Sequence, residues 1–231
     1  MSVFYITSQK QDSGKTTLAA ALVSLLIDSG KVVDVAKPFS QNGTLEGSDC
    51  ANLGKLLSMD FSPPDDQSLD SVIALIKDSA AKHEFVIVEA SSSMPVEDQV
   101  EFVESIEAQV LVVSTPATME SDAGFSSRFG SSICGVVLNQ VSKYAQIETE
   151  HYMEQHLSPH GISLLGMIPE NRTLLSLSVS QICENLSGQM YGEVQSSEAL
   201  VEHFMVGGFG MDPGEYSFAT RTKKAVVVRG D

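Results

Sequence analysis

The sequence predicts an α/β protein built on a doubly wound, mostly parallel sheet, with a small α/β segment after it. Three observations predict this. Short apolar runs recur at Val3–Ile6, Val32–Ala36, Phe85–Val88, Val110–Val113, Cys134–Leu138 and Leu164–Ile168, as strands covered on both faces require. Between them lie stretches with apolar residues at helical spacing, and strands alternating with helices imply parallel pairing. The first run passes through a polar turn into Gly14-Lys15-Thr16, the pattern of a phosphate-binding loop between a strand and a helix N-terminus.

Each element follows from its residues. Leu18, Leu22, Val23 and Leu26 fall on one helical face behind the turn. Val32–Ala36 is closed by Lys37-Pro38; proline stops the ladder and leaves Lys37 at the strand's carboxyl end, where open α/β sheets bind ligands. Ser40–Gly47 reads as a loop, Asp49–Met59 as a helix and Pro63-Pro64-Asp65-Asp66 as a break. Leu69, Val72, Ile73 and Ile76 give a helix ending near Lys82. Phe85–Val88 runs into Glu89 and a small-residue loop, Ala90-Ser91-Ser92-Ser93. Helices are expected near Met119–Phe129 and from Ile147 to Leu157, with Asn139-Gln140 ending the strand between them. Pro169-Glu170-Asn171 ends the sixth strand. The composition changes near residue 175, dividing the chain into 1–175 and 176–231. In the second part Val179–Leu186 and Glu198–Phe204 read as small helices, Gly207–Gly210 as a turn and Ala225–Val228 as a lone strand. With no partner strand after it, that strand predicts a truncated small domain.

The chain has 231 residues, with 30 acidic against 14 basic and a net charge of −16. Such a surface repels nucleic acid and anionic lipid, so neither is expected as a partner. Cys50, Cys134 and Cys183 show no CxxC spacing, which suits reduced thiols. No basic N-terminal signal and no apolar run of spanning length is present, and a cytoplasmic protein is expected.

An acidic protein that binds a polyphosphate must concentrate its few cations. Gln11, Asp12, Ser13 and Gly14 form the turn, and Lys15, Thr16 and Thr17 open the helix, whose N–H groups and dipole favour an anion. Lys15 supplies a cation for terminal phosphates and Thr16 a hydroxyl for Mg2+. The standard loop begins with glycine where this chain has Gln9. Asp49 and Glu89 are the acids suited to Mg2+; Asp49 is equally a helix N-cap, and Glu89 alternatively a solvated strand end. Lys37 is either a phosphate or substrate contact or a surface lysine. Asn139, with a donor and an acceptor, suits an adenine edge or a plain turn. Ser91–Ser93 lacks a nucleophile elbow, Gly207–Gly210 is misplaced for a dinucleotide fingerprint, and His151 and His156 are too far apart around a helix to share a metal.

Taken in order, Gly14-Lys15-Thr16-Thr17, Ala36-Lys37-Pro38, Ser48-Asp49, Val86-Ile87-Val88-Glu89, Val137-Leu138-Asn139 and Ile168-Pro169-Glu170 resemble the dethiobiotin synthetase-like group of P-loop ATPases. That domain also occurs at the N-terminus of some phosphate acetyltransferases. The resemblance implies a P-loop NTPase fold and ATP with Mg2+ as cofactors. It implies metal ligation by Thr16, Asp49 and Glu89, adenine recognition by Asn139, nucleotide contacts from Pro169 and Glu170, and catalytic roles for Lys15 and Lys37. Ala90-Ser91-Ser92-Ser93-Met94 departs from the family's Gly-rich substrate loop, and Ser8 from its leading glycine. Lys10 stands where the related partitioning ATPases carry a lysine that reaches across a dimer, and a homodimer is expected. From Pro169 onward the sequence resembles the link into a DRTGG domain, ending inside its naming motif. The function so implied is a magnesium–ATP-binding regulatory or sensing module. The alternatives are a dethiobiotin-type ligase acting on a small-molecule acceptor through a carboxyl or carbamate phosphate, and a nucleotide-gated dimer.

Overall fold

The computed structural model describes residues 2–39, 54, 68–91, 93–192, 196–207 and 219–228. The expected loop at Ser40–Gly47, helix at Asp49–Met59 and break at Pro63–Asp66 lie outside the described residues, apart from the helical Gly54. The chain divides into two compact units, Met1–Glu170 and Asn171–Asp231.

Among the described residues the first unit holds six strands: β1 (Ser2–Thr7), β2 (Val33–Ala36), β3 (Phe85–Glu89), β4 (Gln109–Ser114), β5 (Ile133–Val141) and β6 (Leu164–Pro169). They form one sheet in the order β2-β3-β1-β4-β5-β6, and every adjacent pair is parallel. Its helices are α1 (Lys15–Asp28), α2 (Leu69–Lys82), α3 (Val96–Ser105), α4 (Met119–Ser127) and α5 (Gln146–Leu157). The predicted class, a parallel α/β sheet with helices on both faces, is the observed one.

The strand order explains where the helices lie. From β1 to β2 the chain moves one way along the sheet. From β2 to β3, and on to β4, β5 and β6, it moves the other way, so right-handed crossovers assign α1 to one face and α2–α5 to the opposite face. The two cores agree. On one face Ala19, Ala20 and Val23 of α1 pack on Ile6, Val33, Val35, Ile87, Leu111 and Val113. On the other, Val72 and Ile76 of α2, Phe102 of α3 and Met153 and Leu157 of α5 share a core with Tyr5, Val86, Val88, Val110, Val112 and Leu138. Alternate strand residues thus enter opposite cores, as the pleat demands. Each fully buried Val, Leu or Ile contributes roughly 1.5–3 kcal/mol.

Helix α3 is an element the periodicity reading passed over. Its first turn carries Glu97 and Asp98, and a buried amide, Gln99, interrupts the apolar stripe that Phe102 and Val103 complete.

In the second unit β7 (Leu177–Ser178) pairs antiparallel with β8 (Leu200–Val201), and β9 (His203–Gly207) pairs parallel with β10 (Lys224–Val228). Helix α6 (Val179–Asn185) opens on a Ser178/Gln181 capping box, which satisfies two end donors reciprocally. Two expectations are corrected here. Glu198–Phe204 is not helical: Glu198 lies in a turn, and Leu200–Val201 and His203–Phe204 are strand, where Val201 and Phe204 suit a pleated surface. The strand at Ala225–Val228 is not lone: its partner, β9, precedes it in the chain.

Candidate functional site

Strand order brings distant segments together at one edge. Along the carboxyl ends of the strands come Lys37 after β2, Glu89 closing β3, the polar turn after β1, Ser114 closing β4, Asn139-Gln140 near the end of β5 and Pro169 closing β6. The chain's direction of travel along the sheet reverses around β1, and such reversals place a ligand crevice at the carboxyl edge.

The turn is shaped for an anion. Gly14 precedes α1 with φ +94°, and no side chain caps the helix. The first turn also holds no acidic residue. A Cβ on Gly14 would lie 2.2 Å from Asn139 Nδ2, which restricts the position to glycine. Lys15 is buried; its ammonium donates to Ser8 Oγ at 2.8 Å and to the Lys10 carbonyl at 3.5 Å, folding back over the space the turn encloses. Ser13 is buried, and its hydroxyl has no partner among the described residues. Gln11, Asp12 and Thr17 are exposed.

Beside the turn lies a charged cluster. Glu89 is 1% exposed. Its Oε1 accepts from Thr16 Oγ1 at 2.7 Å and from Lys37 Nζ at 2.8 Å. Its Oε2, equally buried, has no hydrogen-bond partner among the described residues. A carboxylate removed from water needs its lone pairs satisfied, so this bare oxygen is a ready acceptor for a cation. A threonine hydroxyl, one carboxylate and an adjacent anion site suit Mg2+, which usually takes one or two carboxylates together with substrate phosphates. Among the described residues no three His, Cys, Asp or Glu gather at one point, so a metal cage built wholly from such side chains is not present there.

The β5 tip braces the turn from the other side. Asn139 Nδ2 donates to the Ser13 carbonyl at 2.8 Å, and Gln140 Nε2 to the Asp12 carbonyl at 3.0 Å. Asp12 and Gln140 both hold positive φ, +56° and +60°, so each end of this brace carries backbone strain. Glu170 is exposed, and its N–H donates to the Val141 carbonyl at 2.9 Å, fixing Pro169-Glu170 beside the same tip.

The structure therefore brings Lys15, Thr16, Lys37 and Glu89 together, with Asn139 on the turn's far side; Asp49 lies outside the described residues. Two features escaped sequence reasoning. Gln99 is buried, accepts from Thr7 Oγ1 at 2.6 Å and donates to the Met94 carbonyl at 2.8 Å, tying the loop after Glu89 to β1. Asp122, wholly buried in the first turn of α4, accepts from Ser114 Oγ. Burial pushes its carboxyl above the ordinary carboxylate range, against the opposing pull of the Ser114 and Thr118 hydroxyls and the Lys10 charge. The signal for Gln99 was an amide on an otherwise apolar helix face; Asp122 gave none.

A strand, a glycine-gated turn and a helix opening on Lys-Thr, faced by an acid from the next strand tip, define a phosphate-loop nucleotide-binding α/β domain. The chain belongs to the CbiA family, the CobQ/CobB/MinD/ParA nucleotide binding domain, whose model matches residues 4–182. It is 25% identical over 201 residues to the ATP-dependent dethiobiotin synthetase BioD of Rhodococcus erythropolis (strain PR4 / NBRC 100887), covering 73% of this chain and 88% of that one. Among solved structures it is similar to the signal recognition particle 54 kDa protein of Aeropyrum pernix K1, in complex with GDP, with TM-score 0.57 and 15% identity over 73% of this chain. It spans only 41% of that protein. It is likewise similar to the MinC:MinD cell division protein complex of Aquifex aeolicus, with TM-score 0.54 and 17% identity over 76% of this chain and 84% of that one. At such identities the structural likenesses speak for the fold. No helix of the described residues is long and apolar enough to cross a membrane.

Proposed function

We propose that the chain binds magnesium–ATP at the carboxyl edge of β1 and β3. In this reading it acts as a nucleotide-dependent regulatory or sensing module of the kind that precedes the catalytic part of some phosphate acetyltransferases. The observation that carries the reading is Glu89: buried at the mouth of the phosphate loop, held by Thr16 and Lys37 through one oxygen and bare at the other.

The first-turn N–H groups of α1 and the Lys15 ammonium receive the phosphates, Lys15 leaving Ser8 and the Lys10 carbonyl to do so. Thr16 and Glu89, with Asp49, would hold Mg2+, which would neutralise phosphate charge. Asn139, whose Nδ2 is held on the Ser13 carbonyl, would keep its Oδ1 as an acceptor for an adenine amine, and Pro169 and Glu170 would border the base. The small-residue loop after Glu89 and the appended second unit favour signalling over turnover.

Calorimetry with ATP, ADP and Mg2+ tests this. Binding below millimolar concentration that weakens at least tenfold in Lys15→Ala is expected; no adenine nucleotide binding in that range would end the reading. A second reading, an ATP-dependent ligase of the dethiobiotin type, is favoured by the identity to the synthetase over 88% of its length. It requires phosphate release that depends on a diamine or carboxylate acceptor and is lost in Lys37→Ala. Flat turnover across such acceptors would remove it.

A further inference from the structure

At the amino ends of the strands, away from the phosphate loop, a cavity of about 510 Å3 opens between α2, the start of β1 and the turn that joins α3 to β4. Val3, Ile76, Ala80 and Ile106 form its apolar lining, and Lys77 and Glu107 stand exposed at its rim. Among the described residues neither rim charge has a hydrogen-bond or ion-pair partner for its side chain, so the two do not pair with each other. Glu107 stands there against the preference of its backbone, with φ +52°. Its N–H donates to the Glu104 carbonyl at 3.2 Å, and that of Ala108 to the Val103 carbonyl at 3.0 Å. These are the paired bonds of a helix end whose left-handed residue is ordinarily glycine. A side chain at that conformation carries a steric penalty that glycine avoids, so the turn itself gives no reason for the carboxylate.

We propose that this cavity binds a small zwitterion with an apolar body, an amino-carboxylate whose ammonium meets Glu107 and whose carboxylate meets Lys77. The volume lies within the range of small-molecule sites, roughly 300–1,000 Å3. The apolar lining takes the body of the ligand, and the two rim charges set its polarity through charge-assisted hydrogen bonds. A net charge of −16 disfavours a plain anion, and Lys77 disfavours a plain cation. A ligand with one charge also leaves one rim group without its counter-ion, and a site built for both partners rejects it on that account. The cavity lies at the strand ends opposite the nucleotide crevice, and its ligand is independent of whether that crevice takes ATP.

The test is calorimetry of the full chain with L-leucine and ε-aminocaproate, which hold their two charges adjacent and apart, against caproate and hexylamine, which each lack one. At least one zwitterion should bind at millimolar concentration or below, and the singly charged probes at least tenfold more weakly. Lys77→Met and Glu107→Gly should each weaken the zwitterion at least tenfold. Glu107→Gly also separates ligand from fold: its thermal midpoint should hold or rise, because glycine suits the turn, while its binding falls. If that variant does not fold, Glu107→Gln, which keeps the side chain and removes its charge, should show the same loss of binding. No binding by either zwitterion, equal binding by caproate or hexylamine, or undiminished binding in any of these variants overturns the proposal.

Discussion

Glu89 closes β3 and Asp122 lies in the first turn of α4, against the end of β4; β1 runs between those two strands. Both carboxyl groups are shielded from solvent, at 1% and 0% exposure, and each has one oxygen without a partner among the described residues. They differ in what touches the other oxygen. For Glu89 it is an ammonium at 2.8 Å together with a hydroxyl; for Asp122 it is the Ser114 hydroxyl. Hydroxyls stabilise a carboxylate less than a contacting cation does, so desolvation wins at Asp122 and raises its carboxyl. One edge of one sheet therefore carries an ion-paired carboxylate and, across β1, a carboxyl that burial raises above its ordinary range.

The sharpest way to break this contrast is to delete Glu89. Glu89→Leu removes one member of an ion pair whose side chains are only 10% and 1% exposed, and breaking a buried pair by removing one partner costs about 3–5 kcal/mol. Urea denaturation without ligands should show that loss. A cost under about 1 kcal/mol, the size of an exposed pair, would mean that Lys37 does not need Glu89, and the two tips would be less different than their contacts indicate.

A smaller effect is expected at the other tip. Ser114→Ala removes a donor to Asp122 Oδ2 and leaves the Thr118 hydroxyl alone to act on this buried carboxyl, which costs about 1–3 kcal/mol. The same denaturation experiment measures it. Indifference to the change would imply that another donor already serves Asp122, and with it that the hydroxyl is not what distinguishes this tip.

The two tips also differ in how far the sequence discloses them. Lys37 and Glu89 each end an apolar run, and a charge directly after a buried strand has few places to go but the carboxyl edge; their meeting is legible once the runs are read as parallel strands. The acid at 122 stands early in a helix, where any carboxylate favours the dipole, so nothing local marks it as buried. Its burial is a tertiary fact, arising because α4 returns over the end of β4. The same limit explains α3, where buried Gln99 interrupts the apolar stripe, and Glu198–Phe204, where pairing with strands elsewhere in the chain decided the conformation. Periodicity reads a face; it does not read a partner.

The finest effect concerns the proton on Asp122. In the unfolded chain this carboxyl titrates near the ordinary value of 3.8, and in the folded protein above it. Between those two points the native state keeps a proton that the unfolded state has lost, so stability falls as pH rises through the window. Above the window the native state bears the full cost of a buried charge. Asp122→Asn stays neutral throughout and still accepts from Ser114, so it should remove this fall and leave the protein at least as stable as the natural chain near pH 7. Thermal midpoints of both chains from about pH 4 to pH 8, spanning the ordinary carboxylate range and beyond, make the comparison. The opposite result, an asparagine variant that is less stable near neutrality while the natural chain gains stability with rising pH, would mean that Asp122 is ionised and that Lys10, whose charge already pulls in that direction, is close enough to pair with it. The β4 tip would then be a second ion-paired carboxylate, differing from the β3 tip only in its partner.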